Sequence, residues 1–596
     1  MKQFIKYVAA TIVGIFIISV IFTILSIISL VGMASMSSKN VNVKDNSVLV
    51  INLTGSIKER TIENPFDFLT KNSSTKVSGL NEILQAIRNA KDNENVKGIY
   101  IEAGSLISAS PSTLQEIRNA LVDFKKSKKF IVSYGDTYTQ GSYYVCSVAD
   151  SVIINPEGVI DWSGLSMSTM FYKDLLDKIG VKMQVVKVGT YKSAVEPFIL
   201  NEMSDANREQ LTVLSNEIWA EFTSAISKSR KISVNTLNAF ADSVLTFRPT
   251  KIYKEQSMVD KLAYSDYVPK AISNMMKLDK DDEYNTISVT DLASTTTGNP
   301  KDPSGNIIAV YYAVGDIVEE STSNNFSNTP QIVGKDVIKD LAELAESEDV
   351  KAVVLRVNSG GGSAYASEQI WHEVMKIKEK KPIVVSMGDY AASGGYYISC
   401  AADWIVAEPT TLTGSIGIFG MLPEASELMN DKLGLHVSTV NTNAHSDIGV
   451  PTRPLSQSER NIIQAYVNRG YELFTKRCAD GRKMKQDSIK SIGEGRVWTG
   501  IHAKQLGLVD QLGGIYDAID IAKKKAKVKD FTVMTYPEQG NVLDNFMKEA
   551  TSSESYADAK MRETFGEYYE VLNSIKNTQS KSGLQTSMPY HLMFNL

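Results

Sequence analysis

The chain has 596 residues, of which 43% are hydrophobic and 22% charged, so it is too long for a single core and too apolar to be disordered. A net charge of −5 and a pI near 5.8 argue against a nucleic-acid partner. Cys146, Cys400 and Cys478 are too few for a disulfide framework and lack the spacing of a metal site, so we expect three small buried side chains.

The N-terminal segment is the first predicted element. Lys2 and Lys6 precede a run that carries no charge until Lys39, and a run of this length spans a bilayer as a helix. The rival interpretation is a cleaved signal peptide, whose apolar region is shorter, about 7–15 residues. We predict an uncleaved transmembrane anchor over residues 1–45, with its N-terminus in the cytoplasm and the rest of the chain tethered on the other side.

Residues 46–290 alternate short β-branched runs with amphipathic helical stretches, and contain one unusual lysine. In "VKVGTYKSAVEPF" (186–198), Lys192 follows a β-like run and stands among apolar neighbours. Most lysines are simply solvated, but an apolar, water-poor site lowers a lysine's pKa and lets the amine act as a general base. Glu196 would raise that pKa if it pointed at Lys192, so we expect it to point away.

Residues 291–306, "DLASTTTGNPKDPSGN", have the composition of a linker. Residues 307–540 again alternate strands, such as "IIAVYYAV" and "VKAVVLRV", with helices, such as "ASEQIWHEVMKIKEKK". This alternation predicts an α/β fold of parallel βαβ units, with function in the loops beyond the carboxyl ends of the strands. We predict that residues 541–596 form a polar C-terminal tail, which is either a peripheral helix or mobile.

Two glycine-containing loops of the second half carry the candidate chemistry. "RVNSGGGSA" (356–364) and "AASGGYY" (391–397) each follow a predicted strand and precede a helix. Taken alone, the first is equally well a tight turn. A serine placed like Ser393 is more often a helix N-cap than a nucleophile. Together they can present Ser393 as a nucleophile, with an oxyanion hole made by Gly394 and either Gly361 or Gly362.

No histidine lies close to Ser393 in the sequence, so the base that would activate it must come from elsewhere in the chain. His445, in a predicted loop close to Asp447, is the one credible candidate for a triad. The other histidines fall on predicted helices, on a strand-like run or in the tail: His372, His436, His502 and His591.

An internal repeat points to Lys192 instead. Four segments of the first half recur in the same order in the second, for example 129–158 in 381–410, with an offset near 253 (393 − 140 = 253). Gln140 stands where the second copy has Ser393. With Gly180 aligned on Gly434, Lys192 falls at Ser446. Each half therefore keeps the residue that the other lacks, which is the pattern of a duplication followed by division of labour.

The sequence resembles the signal peptide peptidase A family of serine proteases, in its long, two-repeat, membrane-anchored form. The resemblance runs from the anchor to about residue 540, through "GTYKSAVEPF", "RVNSGGGSAYASE", "MGDYAASGGYYISCAAD", "TLTGSIGIFG" and "VWTGIHAKQLGLVDQLGG". It implies two tandem ClpP/crotonase-like domains and a Ser/Lys dyad of Ser393 and Lys192, with Ser415 holding the lysine amine. One departure is Gly360, which stands where the family has proline and loosens the free loop.

The resemblance also implies a function and a location. The expected enzyme is a serine endopeptidase without metal or other cofactor, which degrades cleaved signal peptides and similar apolar peptides. It would lie in the bacterial cytoplasmic membrane as a homotetramer, with its catalytic domains on the periplasmic side and no nucleic-acid partner. Two alternatives stay open: a crotonase-type acyl-CoA enzyme, since glycine-lined oxyanion holes also serve thioesters, and a non-catalytic membrane scaffold.

Overall fold

The structure is a computed structural model that describes residues 14, 18–20, 41–61, 77–104, 106–279, 283–295, 305–321, 330–538 and 585–587. The predicted anchor lies almost wholly outside these residues, as do most of the predicted linker and tail. Among the residues described, no helix is long and apolar enough to cross a membrane. Cys146, Cys400 and Cys478 are free and buried, as predicted.

The strands follow the predicted β-branched runs. Those of the first half are β1 (Ser47–Asn52), β2 (Gly55–Lys58), β3 (Val77–Gly79), β4 (Val96–Ala103), β5 (Leu106–Ser108), β6 (Phe130–Tyr138), β7 (Ser151–Ile160), β8 (Lys182–Val188), β9 (Lys261–Leu262) and β10 (Asn285–Ser288). Those of the second half are β11 (Ile307–Val314), β12 (Asp316–Val318), β13 (Gln331–Val333), β14 (Val350–Ser359), β15 (Gly361–Ser363), β16 (Ile383–Ala392), β17 (Trp404–Ala407), β18 (Leu412–Gly414), β19 (Ile418–Glu424), β20 (Val497–Thr499), β21 (Gln511–Leu512), β22 (Thr532–Tyr536) and β23 (Gln585–Ser587).

The helices alternate with these strands. They are α1 (Leu80–Asp92), α2 (Pro111–Phe124), α3 (Gln140–Cys146), α4 (Lys173–Ile179), α5 (Glu196–Ile199), α6 (Asp205–Arg230), α7 (Val234–Asp242), α8 (Thr250–Glu255), α9 (Val268–Met276), α10 (Val289–Ala293), α11 (Gly334–Glu346), α12 (Ala364–Lys380), α13 (Gly394–Ser399), α14 (Gln457–Arg482), α15 (Gln486–Ile492), α16 (Gly500–Gln505) and α17 (Ile515–Ala526).

Each half has a main sheet, and the two sheets have matching strand orders. The first runs β10-β1-β4-β6-β7-β9, with every pair parallel. The second contains the corresponding order β22-β11-β14-β16-β17-β21. Strands β18 and β20 extend it on the other side of β16. The central strands are buried along almost their whole length, because helices cover both faces of such a sheet. The predicted α/β alternation is confirmed.

A smaller sheet joins the two halves. It runs β13-β12-β15-β23-β19-β8, so β8 of the first half pairs antiparallel with β19 of the second over seven residues. The segment after β8 therefore lies against the second half. Strand β23 falls within the predicted tail, and Gln585–Ser587 belong to a sheet rather than to a peripheral helix.

A buried ion cluster also joins the halves. The Arg356 guanidinium, 1% exposed, lies 2.9 Å from Glu59 Oε2 and 2.8 Å from Glu116 Oε2, both from the first half. Asp389 accepts hydrogen bonds from the Ser112 and Thr113 hydroxyls. Charges are tolerated in an interior only when they are paired and hydrogen-bonded, and here the partners come from both halves, so the cluster links the two repeats.

Candidate active site

Lys192 lies four residues after the end of β8, where its side chain enters the interior of the second half. Its side chain is fully buried. Gly417 and Gly495 pack directly on it: a Cβ added to Gly495 would lie 2.6 Å from Lys192 Cβ, and one added to Gly417 would lie 3.2 Å from Lys192 Cδ. Because this burial removes water from the amine, it lowers the pKa of Lys192 well below its ordinary value of 10.5.

The Lys192 amine meets two serines of the second half. Nζ lies 2.8 Å from Ser393 Oγ, 3.0 Å from Ser415 Oγ and 3.1 Å from the Ser415 carbonyl oxygen. A neutral amine has two N–H donors and one lone pair. If the donors point at the two Ser415 oxygens, the lone pair faces the Ser393 hydroxyl. The structure thus brings together the three side chains that the sequence singled out from three separate segments.

Ser393 has a strained backbone at the end of β16. Its φ of 55° and ψ of −113° are unusual for a residue with a side chain, and strain of this kind concentrates at functional sites. Ser393 occupies the N-cap position of α13, but its side chain makes no capping hydrogen bond. In the first half, Thr139 precedes α3 and does cap that helix by accepting from Ser142 N. The Ser393 hydroxyl is therefore not used as a cap.

The first glycine loop lies against the start of α13. A Cβ added to Gly395 would lie 2.6 Å from the Ser359 carbonyl oxygen. The Gly361 N–H donates to Ser359 Oγ at 3.1 Å. Gly362 has a φ of 155°, and a Cβ there would lie 2.1 Å from the Ile317 carbonyl oxygen, so glycine is required for this close approach.

The alternative base, His445, lies in a different environment. Its Nδ1 lies 3.4 Å from Glu459 Oε1. The carboxylate of Asp447, which a triad would need behind the histidine, is paired with Arg453 at 2.7 Å. His445 and Asp447 therefore contact Glu459 and Arg453, respectively, whereas Ser393 Oγ contacts Lys192.

Glu196 points away from the lysine amine, as predicted. Its carboxylate accepts hydrogen bonds from the Ser204 hydroxyl at 2.6 Å and from Asn207 Nδ2 at 3.1 Å. With this charge satisfied elsewhere, nothing opposes the effect of burial on the pKa of Lys192.

The equivalent place in the first half is filled by Gln140. Its Oε1 accepts from the N–H groups of Ser163 and Gly164 at 3.0 and 2.8 Å, and its Nε2 donates to the Gly164 carbonyl at 2.9 Å. Both the oxygen and the nitrogen of this buried amide are thus hydrogen-bonded to the backbone. The first half therefore has neither a nucleophile nor a free space at that position.

The sequence reasoning missed the residues that enclose Lys192. Gly495 belongs to "GEGRVWTG", a run that lies some three hundred residues after the lysine. Tyr191 N donates to the Glu494 carbonyl at 2.9 Å, and Gly495 N donates to the Ile416 carbonyl at 2.8 Å, so this run closes over the lysine. The closely spaced glycines of that run were the one local feature that could have predicted a close contact with another segment.

The comparisons with known proteins agree with this architecture. The sequence profile of peptidase family S49 matches residues 123–280 and again 375–529, and that of Clp protease matches residues 313–408. The chain belongs to peptidase family S49. It carries the family's domain twice, with a ClpP-like fold, and is a serine endopeptidase.

Three relatives cover most of the chain. It is 38% identical to Protease 4 of Salmonella typhi over 485 residues, which is 80% of this chain and 76% of that protein. It is 32% identical to Protease 4 of Haemophilus influenzae, over 76% of this chain and 75% of that protein. It is 30% identical to the chloroplastic serine protease SPPA of Arabidopsis thaliana, over 82% of this chain and 70% of that protein.

Proposed function

We propose that this peptidase cuts its substrates with a Ser/Lys dyad, in which Ser393 is the nucleophile and Lys192 the general base. The observation that carries the proposal is the 2.8 Å separation of Lys192 Nζ and Ser393 Oγ in a fully buried setting. A base must reach the proton that it removes, and its pKa must leave it neutral at working pH. Burial favours the second condition, because it lowers the pKa of Lys192 well below 10.5.

In the proposed reaction, the Lys192 amine takes the proton of the Ser393 hydroxyl as Oγ bonds to the peptide carbonyl carbon. The carbonyl π electrons move to oxygen, and backbone N–H groups of Gly394 and of Gly361 or Gly362 hold this oxyanion. For Gly361 to donate, its bond to Ser359 Oγ must be exchanged for one to the oxyanion. The C–N bond then breaks, and the Lys192 ammonium protonates the leaving amine.

The second half of the cycle uses the same groups. Water attacks the acyl-enzyme ester while Lys192 takes its proton. The new tetrahedral intermediate collapses by breaking the bond to Ser393 Oγ, and the lysine returns the proton to that oxygen. Ser415 keeps the amine aligned in both halves through its hydroxyl and carbonyl oxygens, and no cofactor is needed in this scheme.

We further propose that the substrates are cleaved signal peptides and similar apolar peptides at the bacterial cytoplasmic membrane. The support is the uncharged N-terminal run, which would anchor residues 1–45 and leave the catalytic domains on the periplasmic side. Membrane fractionation and protease accessibility in intact and permeabilised cells test this placement. Recovery of the full-length chain in the soluble fraction would contradict it.

We also propose that the chain assembles into a homotetramer, with each chain's second half joined to the first half of the next. Within one chain, β8 pairs with β19. The alignment of Gly180 with Gly434, an offset of 254, places 436–442 at the position of β8. The alignment of Gln140 with Ser393, an offset of 253, places 165–171 at the position of β19. Neither segment is a strand in the single chain, and 436–442 is exposed throughout, with Val440 96% exposed. A second copy would supply each segment with its missing partner, and head-to-tail contacts of this kind form a ring when the rotation from copy to copy closes, as the proposed tetramer requires.

Val440→Pro tests the assembly, because proline cannot complete a strand ladder. Val234→Pro is the matched control, since Val234 is the first residue of α7, where proline is tolerated. In sedimentation experiments in detergent, we expect wild type and the control to have the mass of a tetramer and Val440→Pro that of a monomer with unchanged melting temperature. A wild-type monomer, or a Val440→Pro tetramer, would contradict the proposal.

The dyad itself is tested by cleavage of a signal-peptide-like substrate by the detergent-solubilised protein. We expect Ser393→Ala and Lys192→Ala to be folded and inactive, and Lys182→Ala to be active, because Lys182 is an exposed lysine of the same β8. Near-normal activity of Lys192→Ala, with loss of activity in Ser393→Ala, would remove the lysine from the mechanism and direct attention to His445.

A further inference from the structure

Strand β23 lies in a slot between two strands that begin at the candidate active site. Ser587, Thr586 and Gln585 pair antiparallel with Gly361, Gly362 and Ser363 of β15, and Gln585 also pairs with Phe419 of β19. Gln585 is buried, with 8% of its surface exposed. A segment from near the C-terminus thus completes a sheet whose other strands are far away in sequence.

Both walls of this slot are continuous with catalytic groups. Strand β15 begins at Gly361, one of the candidate oxyanion donors. Strand β19 begins at Ile418, three residues after Ser415, whose oxygens accept from the Lys192 amine. An extended peptide between these strands therefore runs past the nucleophile, which is how a sheet edge binds a peptide by strand addition.

The first half offers a comparison for one wall of this slot. The first half has the counterpart of the same small sheet, β3-β2-β5, and in the described residues that sheet ends at β5 with no further strand beside it. Among the residues that the structure describes, a strand in this position therefore occurs beside β15, in the half that keeps the serine, and not beside β5. The sequence around it also suits a peptide site for apolar segments, since residues 582–596 contain no Asp, Glu, Lys or Arg and end in "HLMFNL".

We infer that Gln585–Ser587 is a built-in competitor that fills the peptide slot and must leave before a substrate binds. This inference rests on the proposed function, because it takes the slot beside Ser393 to be the place where the cleaved peptide binds. A segment of the same chain competes at an effective concentration that is set by the length of its link and does not depend on the protein concentration. If it fills the slot in about nine of ten molecules, the apparent KM is about tenfold higher than for the empty slot, and kcat is unchanged.

Two truncations isolate the effect of the strand. A stop codon after Leu584 removes β23, and a stop codon after Ser587 keeps it while removing the last nine residues of the sequence. We expect KM for a signal-peptide-like substrate to fall about tenfold in the shorter form only, with kcat the same in both. Equal KM values in the two forms would overturn the inference.

A second measurement does not depend on turnover. Hydrogen exchange at the amides of Gly361–Ser363 is followed in both truncations carrying Ser393→Ala. We expect faster exchange in the form that lacks β23, because these amides lose a neighbouring strand. Equal exchange overturns the inference. Faster exchange together with no peptide cleavage by any serine-containing form would support the placement of β23 and overturn the proposed function, so the two failures are distinguishable.

Discussion

Replacing Ser415 with alanine tests whether the Lys192 amine must be held as well as buried. The change removes the oxygen 3.0 Å from Nζ and leaves the Ser415 carbonyl oxygen at 3.1 Å. An unpartnered buried polar group costs about 1–3 kcal/mol, which corresponds to a loss of about 5- to 150-fold in kcat if the cost falls on the transition state. KM should not change, because Ser415 contacts the lysine rather than the peptide in this mechanism.

The pH dependence separates this positioning role from a general structural one. The lost oxygen accepts more strongly from an ammonium than from a neutral amine, so the pKa of Lys192 should fall further and the acidic limb of kcat should move to lower pH. Ser399→Ala is the control: it removes another fully buried hydroxyl, one that donates to the Gly395 carbonyl at 2.7 Å, and should leave kcat and the pH profile unchanged. If Ser415→Ala keeps the wild-type kcat and pH profile, the positioning argument is wrong.

Three further changes have defined outcomes. Arg356→Met leaves two buried carboxylates without their cation and should lower the free energy of unfolding by about 3–5 kcal/mol in denaturant titrations; an unchanged midpoint would contradict the ion-cluster account. Lys192→Met should stabilise the chain at pH 7 and less so as pH approaches 10.5, because below that pH the unfolded chain binds a proton that the folded lysine does not; a pH-independent difference in melting temperature would refute the neutral amine. Gly362→Ala should abolish most peptidase activity, since its Cβ would lie 2.1 Å from the Ile317 carbonyl oxygen, and full activity would show that the loop can relax.

Local patterns in the sequence predicted much of the fold. The runs that became β11, β14 and β16 are β-branched and buried on both faces, and the helices between them are amphipathic. The internal repeat added the relation between the two halves, and with it the reason to look for the base of Ser393 in the other copy. The family resemblance then supplied Ser415.

Contacts between distant segments were not predictable in the same way. Nothing local marks Arg356 as the partner of two glutamates in the first half, or Gly495 as the cover of Lys192, because these contacts exist only once the repeats pack together. The strand character of Gln585–Ser587 comes from its neighbours in the slot, since a three-residue polar segment has no strand signal of its own.

The central claim is that a buried, neutral Lys192 activates Ser393, and the most direct measurement is the rate at which a fluorophosphonate labels Ser393 as a function of pH. The account predicts that the wild type is labelled at a rate that rises with pH and levels off well below pH 10.5, and that folded Lys192→Met is not labelled at any pH in that range. Labelling of Lys192→Met at the wild-type rate would show that another group takes the proton, and would contradict the account.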